Sequence, residues 1–149
     1  SIDTIADLRQ KADVPLAVSE MLVGYEDFRL VLEKRAADYV MIDPTWVGGI
    51  SQTRRVAELA QFYNVPVIMH DCTGPFTLLS GIHVATAAAN VAWQETLRAH
   101  IRLLYPQLIR ESIDVIDGHA QPPQTPGIGA TWQPELFDRS DANVRVSEV

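Results

Sequence analysis

Val65-Pro-Val-Ile-Met-His70-Asp-Cys-Thr-Gly-Pro75 is a short apolar run that ends in an ionisable side chain and then a Gly-Pro turn. An apolar run bounded in this way, and too short for a helix, reads as a buried strand over Val65 to Met69. His70 stands at the C-terminal end of that strand, where an imidazole can exchange a proton near neutral pH. The segment has a counterpart upstream. Asp13-Val-Pro-Leu-Ala-Val-Ser-Glu20 matches Asn64-Val-Pro-Val-Ile-Met-His70 in pattern, as expected when helix, loop and buried strand recur as one structural unit.

Working outward, the unit is found four times. Ile2, Ile5, Ala6 and Leu8 fall at helical spacing and predict a helix from Ile2 to Ala12, followed by a strand from Pro15 to Val18 that ends at Ser19-Glu20. Tyr25 to Ala36 is predicted helical, with Phe28, Val31 and Leu32 on one face, before a strand from Tyr39 to Ile42 ending at Asp43-Pro44. A third helix over Ile50 to Tyr63 leads into Val65 to Met69. The almost wholly apolar stretch Phe76 to Ala89 predicts a buried helix, Val91 to Gln94 a strand ending at Glu95, and Leu97 to Leu104 a last helix. Short strands that are apolar on both faces and alternate with helices indicate parallel pairing covered by helices. Both an open α/β sheet and half of a (β/α)8 barrel satisfy that pattern. Near-uniform spacing between the strand starts Pro15, Tyr39, Val65 and Val91 favours the half barrel, and no Gly-rich phosphate loop supports a dinucleotide-binding sheet. From Ile109 onwards turn signals dominate, at Asp117-Gly118, Pro122-Pro123 and Pro126-Gly-Ile-Gly129. Residues 1–108 are therefore expected to form the barrel portion and 109–149 a tail folded back over it, with a terminal strand at Asn143 to Val146.

Composition narrows the function. With 149 residues, 47% hydrophobic and 21% charged, the chain suits one ordinary domain with a sizeable core. A net charge of −7 argues against nonspecific nucleic-acid binding, which needs clustered Lys and Arg. No run approaches the roughly 18 consecutive apolar residues of a membrane span, and Ser1-Ile-Asp-Thr does not resemble a secretory leader. A cytoplasmic location is expected. The single cysteine, Cys72, excludes an internal disulfide.

All four predicted strands end in an ionisable side chain: Glu20, Asp43, His70 and Glu95. In a parallel barrel those ends share one rim, the face on which such enzymes place catalytic groups. Glu20 is a hard oxygen ligand of the kind Mg2+ takes. Asp43, one strand away from His70, can accept its second ring N–H, fixing the tautomer and raising its basicity. Glu95, if protonated, can donate a hydrogen bond to an oxygen on which negative charge develops. This set suits abstraction of a proton next to a carboxylate. Trp46 and Thr73 follow strand ends and are candidates to line a substrate pocket. Cys72 lies two residues from His70, which opens a Cys-His nucleophile reading. His83 reads as a hydrogen-bonded core histidine, and His100 and His119 have no acidic partners at metal-ligand spacing.

Ser19-Glu20, Ile42-Asp-Pro-Thr-Trp-Val-Gly-Gly-Ile50, Met69-His-Asp-Cys-Thr-Gly-Pro75 and Gln94-Glu-Thr-Leu-Arg-Ala99 resemble the second half of the barrel in the enolase superfamily, mandelate racemase and muconate lactonizing subgroup, sugar-acid dehydratase type. The likeness extends over nearly the whole chain, including Pro126-Gly-Ile-Gly129 and Arg139-Ser-Asp-Ala-Asn-Val-Arg145. It implies strands five to eight of a (β/α)8 barrel, with a C-terminal tail packing toward a capping domain. It further implies Glu20 as the last of three carboxylate ligands to Mg2+, His70 and Asp43 as a His-Asp dyad, and Glu95 as the acidic residue after the eighth strand. The implied reaction is dehydration of an aldonic or aldaric acid through an enolate; the chemistry of the superfamily, a Lys or His base with Mg2+ stabilising an ene-diolate, is a general pattern. Racemase, epimerase or cycloisomerase activity shares the enolate and stays open. The capping domain and first barrel half, with two further carboxylates, are expected outside this chain, which alone is expected to be inactive. The expected partners are that missing half, a small carboxylate substrate and further copies of the same protein. A noncatalytic half barrel that docks onto a complementary half is the alternative from another class.

Overall fold

The computed structural model describes residues 1–147. Four helix-strand units follow one another: α1 (Ile2–Lys11), β1 (Ala17–Val18), α2 (Gly24–Glu33), β2 (Tyr39–Ile42), α3 (Pro44–Val47), α4 (Ile50–Phe62), β3 (Val67–Met69), α5 (Pro75–Ala87) and β4 (Val91–Gln94). The strands pair in parallel in their chain order, β1-β2-β3-β4. Right-handed crossovers between sequential parallel strands place every connecting helix on the same face of the sheet. Such a sheet curls toward its free face and is the half barrel that the sequence spacing favours.

Side-chain alternation supports that geometry. Val18, Val40, Ile42, Val67 and Met69 point beneath the helices and are buried with Phe28, Val31, Leu32, Val56, Ala57 and Ala60. Tyr39, Met41, Ile68 and Trp93 take the opposite face, which this chain leaves uncovered, Trp93 being 55% exposed. In a flat sheet, β2 and β4 would stand roughly 9.6 Å apart across β3. The rings of Tyr39 and Trp93 nevertheless lie 5.1 Å apart, because the sheet is concave on this side. The strands are apolar on both faces, as the sequence indicates, and the chain's own helices cover one of them.

β4 carries an irregularity that matters for the rim. Val67 pairs with Val91, but the next residue, Ile68, pairs with Trp93. Ala92 is thus an extra residue, a bulge that inverts the alternation. Val91 packs against the core beneath the helices, while Trp93 sits on the free face. Gln94 then faces α5, where Gly81 makes room for it: a Cβ at Gly81 would lie 2.5 Å from Gln94 Oε1.

The strands are shorter than the apolar runs suggest. Pro15 and Leu16 precede β1 because Leu16 N–H bonds the Asp38 carboxylate at 2.9 Å instead of a ladder carbonyl. Pro66 has no N–H to offer β3. α2 stops at Glu33, short of Ala36, because Arg35 turns left-handed (φ 50°) and Ala36 N–H closes on Val31 C=O at 3.0 Å. α4 ends the same way at Asn64 (φ 56°), with Val65 N–H on Ala60 C=O at 2.9 Å. Both closures are the six-to-one bond of a Schellman motif.

α5 needs no polar stripe because it is buried on two sides. Val84 joins the core under the sheet, while Leu78, Leu79 and Ile82 pack with Tyr105, Ile109 and Ile113 from beyond β4. His83 bonds the Ile128 carbonyl at 3.1 Å and ties the tail to the same helix. The last helical segment is not a regular α-helix: a π turn at His100–Leu104 runs into a 3-10 turn at Tyr105–Gln107. Further on, Asp117 and Gly118, both at positive φ, close a hairpin of β5 (Val115–Ile116) and β6 (His119–Ala120) that the turn signals alone did not reveal. The strand expected at Asn143 to Val146 does not form: the segment is exposed and pairs with no other strand among the described residues. No described helix is long and apolar enough to cross a membrane.

Two outcomes test this packing. Phe28→Ala, which empties a wholly buried aromatic site, should cost about 3–5 kcal/mol in urea unfolding. Asp38 joins α1 to the start of β1, through Arg9 at 2.7 Å and Leu16 N–H at 2.9 Å. The Arg9 hydrogen bonds first, then the Leu16 amide, hold its carboxyl below the usual range. The stabilisation is therefore full above the ordinary carboxylate value of about 3.9 and is lost as pH falls through the depressed one. Asp38→Asn should cost about 1 kcal/mol at neutral pH, and the gap to the parent should close progressively in acid.

Candidate active site

The candidate site assembles where β2, β3 and β4 end on one rim. Asp43 follows β2 in extended conformation and caps α3, its Oδ1 accepting the amides of Thr45 at 2.6 Å and Trp46 at 3.2 Å. Pro44 at the first helical position suits this cap, since its missing N–H would have no helical partner. Asp43 Oδ2 accepts His70 Nδ1–H at 2.8 Å and also the Thr73 hydroxyl. The carboxylate is wholly buried, and four donors hold it.

The Asp43 contact assigns the proton of His70 to Nδ1 and leaves Nε2 as the acceptor nitrogen. His70 is 8% exposed. Its Nε2 looks toward Glu95 Oε2 at 3.7 Å and Cys72 Sγ at 3.5 Å. Glu95 follows β4 on the same face as Trp93, and its Oε2 accepts the Asp71 amide at 3.0 Å. Its side chain is 36% exposed, open to a small molecule from one side.

Three of the four strand-end groups therefore converge. Glu20 lies in the turn after β1, half-buried, with Ser19 Oγ donating to its carboxylate at 3.1 Å. No grouping of three or more potential His, Cys, Asp or Glu ligands occurs among the described residues. Glu20 offers one hard oxygen donor of the right chemistry for Mg2+, and a complete site needs carboxylates from elsewhere.

Trp46 is 44% exposed beside the dyad. Thr73, expected only to line a pocket, also donates to Asp43, which sequence spacing gave no means of seeing. With Thr45, Phe76 and Trp132 it borders a cleft of about 260 Å³. Cys72 is exposed, yet the walls around its sulfur, followed by the carboxylates of Asp43, Glu95 and Asp71, push its thiol up. A thiolate nucleophile is disfavoured in that surrounding. Asp71, beside His70 in sequence, is wholly buried, and burial raises its pKa against the opposing bonds from Tyr105 and Leu97; sequence spacing assigns it no partner. An acidic residue inside an apolar strand-to-turn run is the signal that marks it.

Known proteins share this chain's sequence pattern and fold. The chain is 34% identical to an arabinonate dehydratase of Saccharolobus solfataricus over 139 residues, covering 92% of this chain and 36% of that protein. It is 33% identical to a D-xylonate dehydratase of Haloferax volcanii, covering 82% of this chain and 29% of the other. The chain thus spans about a third of the length of these curated relatives. Among solved structures, an enolase protein from Sargasso Sea environmental sequencing superposes with a TM-score of 0.90 at 35% identity, over 97% of this chain and 39% of that one. An enolase of the mandelate racemase subgroup from Agrobacterium tumefaciens matches at 33% identity and a TM-score of 0.79, over 93% and 38% of the two chains. A model of the enolase C-terminal domain-like family matches residues 1–136, and the chain belongs to that family.

Proposed function

We propose that this chain supplies the second half of the barrel of an acid-sugar dehydratase, and that the half completing it covers the free face carrying Tyr39 and Trp93. The observation that carries the reading is the orientation of His70: Nδ1 fixed by buried Asp43 at 2.8 Å, Nε2 turned to the open rim beside Glu95. The dehydratase names of the relatives support the substrate class.

In this reading His70 Nε2 takes the proton α to the substrate carboxylate, and Asp43 stabilises the imidazolium that forms. The β-hydroxyl then leaves as water, taking a proton from a site acid; the α-C–H and β-C–O bonds break, and the resulting enol becomes a 2-keto-3-deoxy acid. Glu95 faces the same space and, when protonated, donates a hydrogen bond where negative charge gathers. Mg2+, when bound, would withdraw electron density from the substrate carboxylate, with Glu20 as one ligand among others supplied from outside this chain. Trp46 and Thr73 would border the substrate, and residues 109–149 would belong to the capping region. A racemase or epimerase would use the same base and return an epimer in place of a keto acid.

The test is exchange of the α-proton in D2O, with Mg2+, across aldonic and aldaric acids, using the chain together with the barrel half that completes it. Release of a 2-keto-3-deoxy acid is the expected product, and recovery of an epimer without it would replace dehydratase by racemase or epimerase. His70→Asn should lower exchange about 10²–10⁴-fold; an unchanged rate would remove His70 as the base. Asp43→Asn, which leaves the size of the side chain but not its charge, should cost at least about 10²-fold.

A further inference from the structure

Asp71 follows the proposed base and faces away from it. Its carboxylate accepts two donors from the segment beyond β4: Leu97 N–H on Oδ2 at 2.9 Å and Tyr105 OH on Oδ1 at 2.5 Å. Its own amide donates to Glu95 Oε2 at 3.0 Å. One residue thereby holds the side chain of residue 95, the main chain of residue 97 and the phenol of residue 105. Tyr105 is 1% exposed and packed with Leu78 and Ile109, so its hydroxyl has little access to water in place of Asp71. The Glu95 main chain is fixed upstream, its amide on Met69 C=O at 2.8 Å. Downstream, the segment is held to the end of β3 by the Asp71 carboxylate. The Glu95 carbonyl also accepts Gln94 Nε2 at 2.8 Å, and Glu95 Oε2 lies 3.7 Å from His70 Nε2.

We propose that Asp71 is a positioning residue: through Leu97 and Tyr105 it clamps the segment after β4 so that the Glu95 carboxylate stays against His70. The catalytic consequence rests on the dehydratase reading; the clamp itself does not. Its chemistry also predicts which substitution is tolerated. Asparagine can accept Leu97 N–H with Oδ1 and donate its amide to the Tyr105 oxygen, while the phenol turns its proton to His100 Nδ1, 3.5 Å away. Alanine leaves Leu97 N–H without its carboxylate acceptor and the Tyr105 hydroxyl with only the 3.5 Å contact to His100 Nδ1.

Two measurements decide the matter. The first is the side-chain carboxyl 13C signal of Glu95 in the labelled 149-residue chain, identified by its loss in Glu95→Gln. Asp71→Ala should move it toward the position of an exposed glutamate such as Glu135, Tyr105→Phe should move it the same way, and Asp71→Asn should leave it near the parent. Amide signals of α2 and α4 serve as the control for folding, and Tyr105→Phe carries the test if Asp71→Ala does not fold. The second is a double-mutant cycle in α-proton exchange on the completed barrel. Asp71→Ala should lower kcat about 10–100-fold with KM within about threefold, yet cost less than about twofold in a Glu95→Gln background, where there is no carboxylate left to position. A merely structural residue would cost the same in both backgrounds. An unmoved Glu95 signal in both Asp71→Ala and Tyr105→Phe, or equal losses in the two backgrounds, overturns the clamp. No exchange in the parent with any acid overturns the dehydratase reading, and the Glu95 signal then decides the clamp alone.

Discussion

The handedness of the crossover connection governs this molecule. Because parallel strands joined by right-handed crossovers follow one another across the sheet, every helix falls on one side and every strand ends on the same rim. The first consequence gives a core that is wholly one-sided, centred on Phe28, Val40, Val56 and Met69. The second brings together Asp43, His70 and Glu95, which span more than fifty residues of chain. The rim and the free face are thus two products of one constraint.

Within that frame a single carboxylate connects local and long-range structure. Asp43 caps α3 with one oxygen and holds His70 and Thr73 with the other. A residue serving both purposes is held in its rotamer by the helix start as well as by the imidazole. In the proposed reaction such preorganisation matters, because about an ångström of misplacement can cost a hundredfold in rate.

Much of this was legible in the sequence because buried parallel strands are written as apolar runs, and the residue that breaks each run is the one placed on the rim. Glu20, Asp43, His70 and Glu95 were found that way, and the helices over α1, α4 and α5 match their apolar spacing within a few residues. The rest was hidden for physical reasons. The four-residue α3 is too short to show a period. Thr73 reaches Asp43 by the path of a turn, which spacing does not encode. The helix after β4 widens to a π turn, and its start is engaged from outside by Asp71, whose partners at Leu97 and Tyr105 are 26 and 34 residues away. The short β5–β6 hairpin has strands of two residues, below the length at which alternation means anything.

The bulge at Ala92 has a broader implication. In an unbroken β4, counting by twos from Val91 would carry residue 95 to the helix-covered side; one supernumerary alanine reverses the count and delivers Glu95 to the rim. The presence of an acid in the site is therefore set by arithmetic along the chain as much as by chemistry at the position. In lineages that share this strand, acidic function at the rim is open to gain or loss through a three-nucleotide insertion or deletion several residues away. Comparison of residues by identity alone would then misjudge which relatives keep an acid on the rim.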